Sequence, residues 1–128
     1  MKVLLDTHTL LWWWTDDVQL SATARATIQD ESNTVMVSAA SAWEIATKYR
    51  LGKLPIGAET LYRFDELVTV DGFSHLAINY QQAIHAGAYP QGHRDPFDRI
   101  LAAQAELERV PLVTADPALL RFPIQCLW

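Results

Sequence analysis

The sequence predicts an α/β fold in which a central, mostly parallel sheet of about five strands carries helices on both faces. Short apolar segments alternate along the chain with longer segments that carry helix-capping signals. Strands that alternate with helices form right-handed βαβ units, which bring parallel strands into one sheet. With 128 residues, 50% of them hydrophobic, the chain has the material for one core. We therefore expect a single domain over residues 1–128.

The first half of the chain contains two predicted strands, each followed by a helix. The segment 34–37 is rich in β-branched residues, which favour strands. Ser21 and Ser38 stand at predicted helix starts and Gly52 at a predicted helix end, since serine caps the first backbone N–H groups and glycine closes the last turn. The predicted elements are strand 2–5, helix 7–14, helix 21–30, strand 34–37, helix 38–52, loop 54–57 and helix 58–68.

The second half continues this alternation. Asp95 followed by Pro96 is a strong helix start, because an acid suits the N-cap and proline suits the first helical position. Asp116 followed by Pro117 predicts a second, shorter helix in the same way. The predicted elements are strand 73–78, helix 79–87, loop 89–92, helix 95–109, strand 110–114, a short helix from 116 and strand 124–127.

Acidic residues occur where such a fold would bring them to one edge of the sheet. Asp6 directly follows the first strand and Asp116 follows the strand 110–114, while Glu44 and Asp98 lie on helices. Ligands of parallel α/β folds bind outside the carboxyl ends of the strands. If these acids meet there, their repulsion needs a cation, and hard divalent ions such as Mg²⁺ take all-oxygen ligands. The pattern indicates a metal-dependent phosphoryl-transfer enzyme.

Each of these acids also has a purely structural interpretation. Asp6 and Asp116 can cap helices, and Glu44 can form an exposed ion pair with Lys48, one helical turn on. Apolar residues flank Glu44, however, and a carboxylate in apolar surroundings needs a partner. We therefore favour a functional role for Glu44.

Asp95 and Asp98 lie three residues apart and share a face of the predicted helix. Asp95 is explained as an N-cap, with an accessory metal role as the alternative. Asp98 is followed one turn later by Ala102 and Ala105, small residues that suit close packing of a helix on a sheet. We expect Asp98 to be the one that points inward over the sheet edge.

The composition limits the classes of function. Lysine and arginine number 10 against 15 acidic residues, a net charge of −5, which argues against a broadly basic surface but allows a basic rim around an acidic site. The single cysteine, Cys126, excludes an internal disulfide and a cysteine metal cage. Acids at Asp6 and 16–17 argue against a signal sequence, and no segment approaches the about 20 apolar residues of a membrane span. We expect a cytoplasmic protein with no membrane contact.

With these residues identified, the chain resembles the PIN-domain ribonucleases, and within them the VapC-type toxins of bacterial toxin–antitoxin pairs. The resemblance spans nearly the whole chain in the expected order. The matching stretches are Leu4-Leu5-Asp6-Thr7-His8, Val37-Ser38-Ala39-Ala40-Ser41-Ala42-Trp43-Glu44-Ile45, Leu51-Gly52-Lys53-Leu54, His93-Arg94-Asp95-Pro96-Phe97-Asp98-Arg99, Leu101-Ala102-Ala103-Gln104-Ala105 and Leu112-Val113-Thr114-Ala115-Asp116.

The resemblance implies a catalytic and metal-binding quartet, one or two Mg²⁺ (or Mn²⁺), and endonucleolytic hydrolysis of RNA by metal-activated water. The quartet falls on Asp6, Glu44, Asp98 and Asp116. Thr114 and Asp95 are candidate accessory residues, with the Thr114 hydroxyl expected to orient a ligand or water. The resemblance also implies a cognate antitoxin, bound in a hydrophobic groove near the site, and a homodimer.

Basic and aromatic residues suggest where partners would bind. The candidate RNA contacts, which would position phosphates without reading sequence, are Lys48, Arg50, Lys53, Arg94 and Arg99. The alternative for the first three is a solvated helix end, where cations are favoured. The run Trp12-Trp13-Trp14 cannot face one core throughout, so we expect at least one of them at the surface or in an interface. Partial burial under the loop 16–20 is the alternative.

Three rival classes share parts of this pattern. A phosphoryl-accepting receiver domain would carry an acidic pair after the first strand and a lysine late in the chain, but no lysine follows Lys53. A haloacid-dehalogenase-like phosphatase would carry aspartate two residues after Asp6, where His8 stands. The third rival is a catalytically silent binding module of the same fold. Such a module would have no evident need for the four acids.

Overall fold

The protein is built on a five-stranded sheet in which every pair of neighbouring strands is parallel. A computed structural model describes residues 1–54 and 56–128. The strands lie in the order β3-β2-β1-β4-β5. Their bounds are β1 Lys2–Leu5, β2 Thr34–Ser38, β3 Ser74–Leu76, β4 Leu112–Val113 and β5 Cys126–Leu127. The predicted α/β class is confirmed.

Seven α-helices and one 3₁₀-helix connect the strands within the described residues. The helices are α1 Thr7–Trp14, α2 Ala22–Gln29, α3 Ala39–Arg50, α4 Ala58–Tyr62, α5 Phe64–Val70, α6 Tyr80–Ala88 and α7 Pro96–Glu108, and the 3₁₀-helix is Pro117–Arg121. Ser21 and Ser38 cap α2 and α3 through their side chains, as predicted. Across residues 1–54 and 56–128, none of these helices is both long and apolar enough to cross a membrane.

The structure differs from the sequence prediction in several places. The strands predicted over 73–78 and 124–127 are shorter, Ser74–Leu76 and Cys126–Leu127. The single helix predicted over 58–68 is two helices, because the backbone of Arg63 leaves helical geometry (φ −100°, ψ 12°) between them. The strand predicted from Val110 begins only at Leu112, because the Val110 N–H closes the end of α7 on the carbonyl of Ala105. Pro55, within the predicted loop 54–57, lies outside the described residues.

Two hydrophobic cores lie on opposite faces of the sheet. Successive side chains of a strand point to opposite faces, so Val3 and Leu5 of β1 pack with α1, α2 and α5, whereas Leu4 packs with α7. All three side chains are fully buried. Because β1 is the central strand, its carboxyl end, at Asp6, lies in the middle of the sheet edge.

A buried amide network ties α7 to the neighbouring strand and helix. The Gln104 side chain is completely buried. It accepts a hydrogen bond of 2.5 Å from the Ser38 hydroxyl and donates to the Ala77 carbonyl (3.2 Å) and to Gln82 Oε1 (3.0 Å). Its position, six residues after Asp98 on the same helix, makes this network part of what holds α7 over the sheet edge.

Replacing Gln104 with leucine is expected to lower the free energy of unfolding by about 2–4 kcal/mol, because partners on two elements lose their hydrogen bonds inside the core. Chemical denaturation monitored by circular dichroism measures this change. Gln91→Leu is the control, since its one side-chain hydrogen bond is exposed. Equal stability of Gln104→Leu and the unaltered protein would contradict the structural role of the network.

All three consecutive tryptophans are partly buried, which matches the alternative weighed from the sequence, and the apolar cluster they pack against includes Leu20 from the loop 16–20. The indole N–H groups of Trp13 and Trp14 both donate to Asp71 Oδ2, at 3.1 and 3.0 Å. Trp12 instead lies against Trp128, with ring centroids 5.8 Å apart. These contacts within the chain account for the three tryptophans, so an interface is not needed to explain them.

Candidate active site

Asp6 lies at the carboxyl end of β1 with only 5% of its surface exposed. It is the N-cap of α1: its Oδ1 accepts a hydrogen bond of 2.7 Å from the backbone N–H of Thr9. Its Oδ2 accepts from the hydroxyl of Thr114, just beyond β4. The capping interpretation of Asp6 is thus correct, and the same carboxylate also stands at the predicted sheet edge.

Thr114 joins two of the predicted acids. Its Oγ1 donates to Asp6 and accepts a hydrogen bond of 3.0 Å from the backbone N–H of Asp116. Asp116 in turn caps the 3₁₀-helix by accepting from the N–H of Ala118 at 2.9 Å. In this structure Thr114 therefore orients a carboxylate, where the sequence suggested that its hydroxyl would orient a ligand or water.

Glu44 is the carboxylate supplied by α3, and only 3% of it is exposed. It forms an ion pair with Lys48, one turn further along α3. The pair predicted as the structural alternative therefore exists, but its acidic member is buried rather than exposed. A carboxylate held this deep next to other acids requires the lysine as a counter-charge.

The helix α7 supplies the remaining two acids. Asp95 is its N-cap and accepts from the backbone N–H of Phe97 at 2.9 Å, as predicted. Asp98 lies in the first turn, with 17% of its side chain exposed, and its Oδ2 contacts His93 Nε2 at 2.8 Å. Of this pair, Asp98 is the one whose carboxylate interacts with the other acids.

The charges of neighbouring acids act on Asp98. Burial, together with the negative charges of Asp95, Asp116 and Glu44, raises the pKa of Asp98 to about 6, although its hydrogen bond with His93 acts in the opposite direction. Burial likewise raises the pKa of Asp6, against the lowering effect of its hydrogen bonds. The charged form of Asp98 is therefore disfavoured by burial and by its acidic neighbours, whereas that of Asp6 is disfavoured by burial.

Lys48 is a cation that partly offsets this charge from within the site. Burial on its own would lower the pKa of Lys48, but the hydrogen bond and charge of Glu44, with the charges of Asp95 and Asp98, raise it overall. Lys48 therefore stays protonated beside the acids. The three carboxylates whose charges raise its pKa, those of Glu44, Asp95 and Asp98, lie close to its ammonium group.

The carboxylates suit a metal ion bound mainly through water and substrate oxygens. Among the residues that the structure describes, no three acidic, histidine or cysteine side chains already converge on one metal position. Glu44, Asp98 and Asp116 each keep one carboxylate oxygen without a hydrogen-bond donor in those same residues. Mg²⁺ is typically held by one or two carboxylates plus waters and phosphates rather than by a full protein cage. Oxygen donors of this kind and number fit such an ion.

Aromatic residues border the acids on the side of α1. A cavity of about 250 Å³ is lined by Asp6 and Asp116 together with His8, Trp12 and Ala115. The His8 and Trp12 rings lie 5.9 Å apart between centroids. The acidic edge is therefore open to a ligand from this side, and its wall there is formed by two aromatic rings inclined at 46° to each other.

The candidate RNA contacts separate into different roles. Arg99 donates to five backbone carbonyls, those of residues 86, 87, 89, 91 and 93, at 2.7–3.3 Å. Its guanidinium is therefore used to shape the loop before α7, and we withdraw Arg99 from the predicted contacts. Lys48 is bound to Glu44. The three remaining candidates, Arg50, Lys53 and Arg94, are exposed.

Two neighbours of the quartet were missed from the sequence. His93 is the first: its Nε2 contacts Asp98 Oδ2 at 2.8 Å. No helical spacing links them, because His93 lies in the loop before α7, so the sequence held no signal for this contact. Trp43 is the second: it is 51% exposed and directly precedes Glu44. The sequence could not reveal an exposed aromatic beside a buried acid, because it does not give the burial of either residue.

The fold and the site together define an α/β protein with a carboxylate cluster at the carboxyl edge of a parallel sheet. Residues 3–124 match the model of the PIN domain family, so the chain belongs to that family. The chain is also 41% identical over 64 residues to ribonuclease VapC16 of Mycobacterium tuberculosis. That match covers 50% of this chain and 45% of the relative, so the chain aligns with about half the length of that protein.

Solved structures share the whole fold at low sequence identity. VapBC2 from Rickettsia felis, bound to a DNA fragment from its promoter, is 15% identical with a TM-score of 0.72, covering 100% of this chain and 99% of that one. VapBC-1 from nontypeable Haemophilus influenzae is 20% identical with a TM-score of 0.67, covering 99% and 97%. At such identities the likeness establishes the fold alone.

Proposed function

We propose that this PIN-domain protein is a metal-dependent endoribonuclease that hydrolyses RNA phosphodiester bonds and acts as the toxin of a toxin–antitoxin pair. The observation that supports the proposal is that the charges of Glu44 and Asp116 act on Asp98, while the Thr114 hydroxyl joins Asp116 to Asp6 at the sheet edge. Helix caps and ion pairs alone would not require these carboxylates to lie so close together.

The proposed cofactor is Mg²⁺, or Mn²⁺, held by the oxygens of Glu44, Asp98 and Asp116 that have no hydrogen-bond donor in the described residues. Asp6 is expected to join them by exchanging its hydrogen bond from Thr114. A divalent ion bound there supplies charge stabilisation on the phosphate and a more acidic attacking water.

The protein's own groups supply orientation and proton transfer. Asp98, oriented by the contact of its Oδ2 with His93 Nε2, is a proposed acceptor for the proton of the attacking water. Its other carboxylate oxygen would serve either as a metal ligand or as this proton acceptor, not as both at once. Asp116 is the alternative acceptor. Lys53 and Arg94, at the rim, are the candidate phosphate contacts.

The proposed partners rest on the relatives. The similar solved structures are VapBC assemblies and a toxin–antitoxin complex from Klebsiella pneumoniae, which supports a cognate antitoxin for this chain. A homodimer remains a prediction from the family resemblance, and a cytoplasmic location remains a prediction from the composition of the sequence. The competing proposal is a catalytically silent binding module, which the absence of three converged ligands among the described residues favours.

The test is cleavage of a mixed-sequence single-stranded RNA by the purified protein, in Mg²⁺ and in chelator. We expect cleavage only with Mg²⁺, with 5′-phosphate products, and its loss in Glu44→Gln. The matched control is Glu31→Gln, which changes an exposed glutamate that forms no ion pair among the described residues and should cleave normally.

Cleavage that continues in chelator would contradict the metal-dependent mechanism. Failure to cleave mixed RNA and total transfer and ribosomal RNA, combined with no Mn²⁺ binding, would contradict the nuclease proposal and favour the silent binding module. Cleavage of single-stranded DNA at the same rate would contradict the assignment to RNA.

A further inference from the structure

Trp43 is a large aromatic side chain that stays 51% exposed beside the candidate active site. It directly precedes Glu44 on α3, and its ring meets Phe97 of α7 nearly at right angles (77°), with centroids 4.7 Å apart. Phe97 is only 9% exposed, so the contact is anchored in the body of the protein. Trp43 is therefore a fixed aromatic surface whose ring is half open to solvent.

A groove whose lining includes several cations reaches Phe97, the residue that Trp43 contacts. It lies between the end of α3 and the start of α7, has a volume of about 360 Å³, and is lined by four charged residues together with Thr47, Leu51, Pro96 and Phe97. Those charged residues are Lys48, Lys53, Arg94 and Asp95. Lys48 is paired with Glu44, so Lys53 and Arg94 are the cations of this groove that can attract a polyanion.

The groove is continuous with the quartet. Lys48 forms one wall and binds Glu44, while Asp95 lies three residues from Asp98 on α7. A strand whose phosphate lies over the acids would therefore pass next along Lys48 towards Lys53 and Arg94. Trp43 stands at the margin of this route, next to Phe97.

We propose that Trp43 stacks against a nucleobase adjacent to the scissile phosphate while Lys53 and Arg94 hold the neighbouring backbone. Cations that follow the backbone beside an aromatic that stacks bases are the recurring features of single-strand binding surfaces. Bases inside a duplex are already stacked and cannot reach such a ring. The substrate is accordingly RNA that is unpaired at the cleavage point. This inference rests on the proposed nuclease function and specifies its substrate.

The charge pattern favours RNA over a protein at this surface. Within residues 1–54 and 56–128, neither Lys53 nor Arg94 has a carboxylate within 4.0 Å, so both are available to phosphates. An apolar segment laid on Trp43 would bury these cations without partners, which is unfavourable.

The test is binding of a labelled, mixed-sequence single-stranded RNA in chelator, compared with the same strand annealed into a duplex. Trp43→Leu keeps apolar cover over Phe97 but has no ring, and should bind the single strand about tenfold more weakly while duplex affinity stays unchanged. Trp43→Phe should recover part of the loss. Tyr62→Leu, an 88% exposed aromatic on α4, is the matched control, and thermal melts check that each variant is folded.

The other outcomes overturn the inference in distinguishable ways. Trp43→Leu could leave single-strand affinity unchanged while the double variant Lys53→Gln/Arg94→Gln reduces it. That result would contradict base stacking by Trp43 and would leave the nuclease proposal standing. Equal losses of affinity for the single strand and the duplex in Trp43→Leu would show that Trp43 maintains the shape of the groove and does not stack on a base. A changed oligomeric state with RNA binding intact would assign Trp43 to a protein interface. No RNA binding by the unaltered protein in chelator would contradict the stacking inference, while cleavage in Mg²⁺ would still decide the nuclease proposal separately.

Discussion

Replacing Asp6 with asparagine is expected to reduce Mg²⁺-dependent RNA cleavage more than about 100-fold, since even residues that only support metal ligands contribute about 10–100-fold. The fold should survive, because asparagine caps helices as well as aspartate does and its side-chain oxygen can still accept from the N–H of Thr9. The loss would therefore come from the missing negative charge and not from unfolding. Initial cleavage rates and thermal melts measure the two effects separately.

Asp16→Asn is the matched control for this variant. Asp16 is an exposed aspartate with φ 50°, a conformation that asparagine also tolerates, and it lies away from the acidic cluster. It should cleave RNA at the normal rate. An Asp6→Asn protein that is folded and fully active would remove Asp6 from the site, and one that is inactive because it is unfolded would leave Asp6 with a structural role only.

Replacing Asp98 with asparagine is expected to stabilise the metal-free protein at neutral pH by about 1–3 kcal/mol while removing activity. In the folded protein, burial and the charges of Asp95, Asp116 and Glu44 raise the pKa of Asp98 from 3.8 to about 6. Ionising it at pH 7 therefore lowers the free energy of unfolding. Asparagine keeps an oxygen for the hydrogen bond from His93 but carries no charge.

The same shift fixes the direction of the pH dependence. Because the folded-state pKa lies above the unfolded value, the stability that Asp98 contributes is full below about pH 4 and is lost as the pH rises through about 6. Without divalent ions, the unaltered protein should lose stability relative to Asp98→Asn between those values. Denaturant titrations of both proteins at several pH values measure this difference, and parallel stability curves would contradict the raised pKa.

The sequence predicted the parts of the site that depend on topology. Asp6 and Asp116 follow parallel strands, so their positions at one edge follow from the alternation of strands and helices alone. Asp95 and Asp98 were separated correctly because their positions relative to a proline distinguish a cap from a first-turn residue. Local signals of this kind are carried by a few neighbouring residues and can be read without the fold.

Contacts between distant segments could not be predicted in the same way. Arg99 was interpreted as a phosphate contact because it flanks Asp98, but it binds carbonyls of the preceding loop. Glu44 was expected to be either functional or paired with Lys48, and the structure makes it both buried and paired. Such outcomes depend on which way a long side chain turns, and that is decided by loop geometry and burial rather than by sequence spacing.

The most direct test of the central claim is a calorimetric titration of the protein with Mn²⁺, beside Asp6→Asn, Asp98→Asn and the control Asp16→Asn. If the four acids form one metal site, the unaltered protein and the control bind Mn²⁺ with equal affinity, and both site variants lose binding about tenfold or more. Equal Mn²⁺ affinity in all four proteins, or no binding in any, would contradict a shared carboxylate site at this sheet edge.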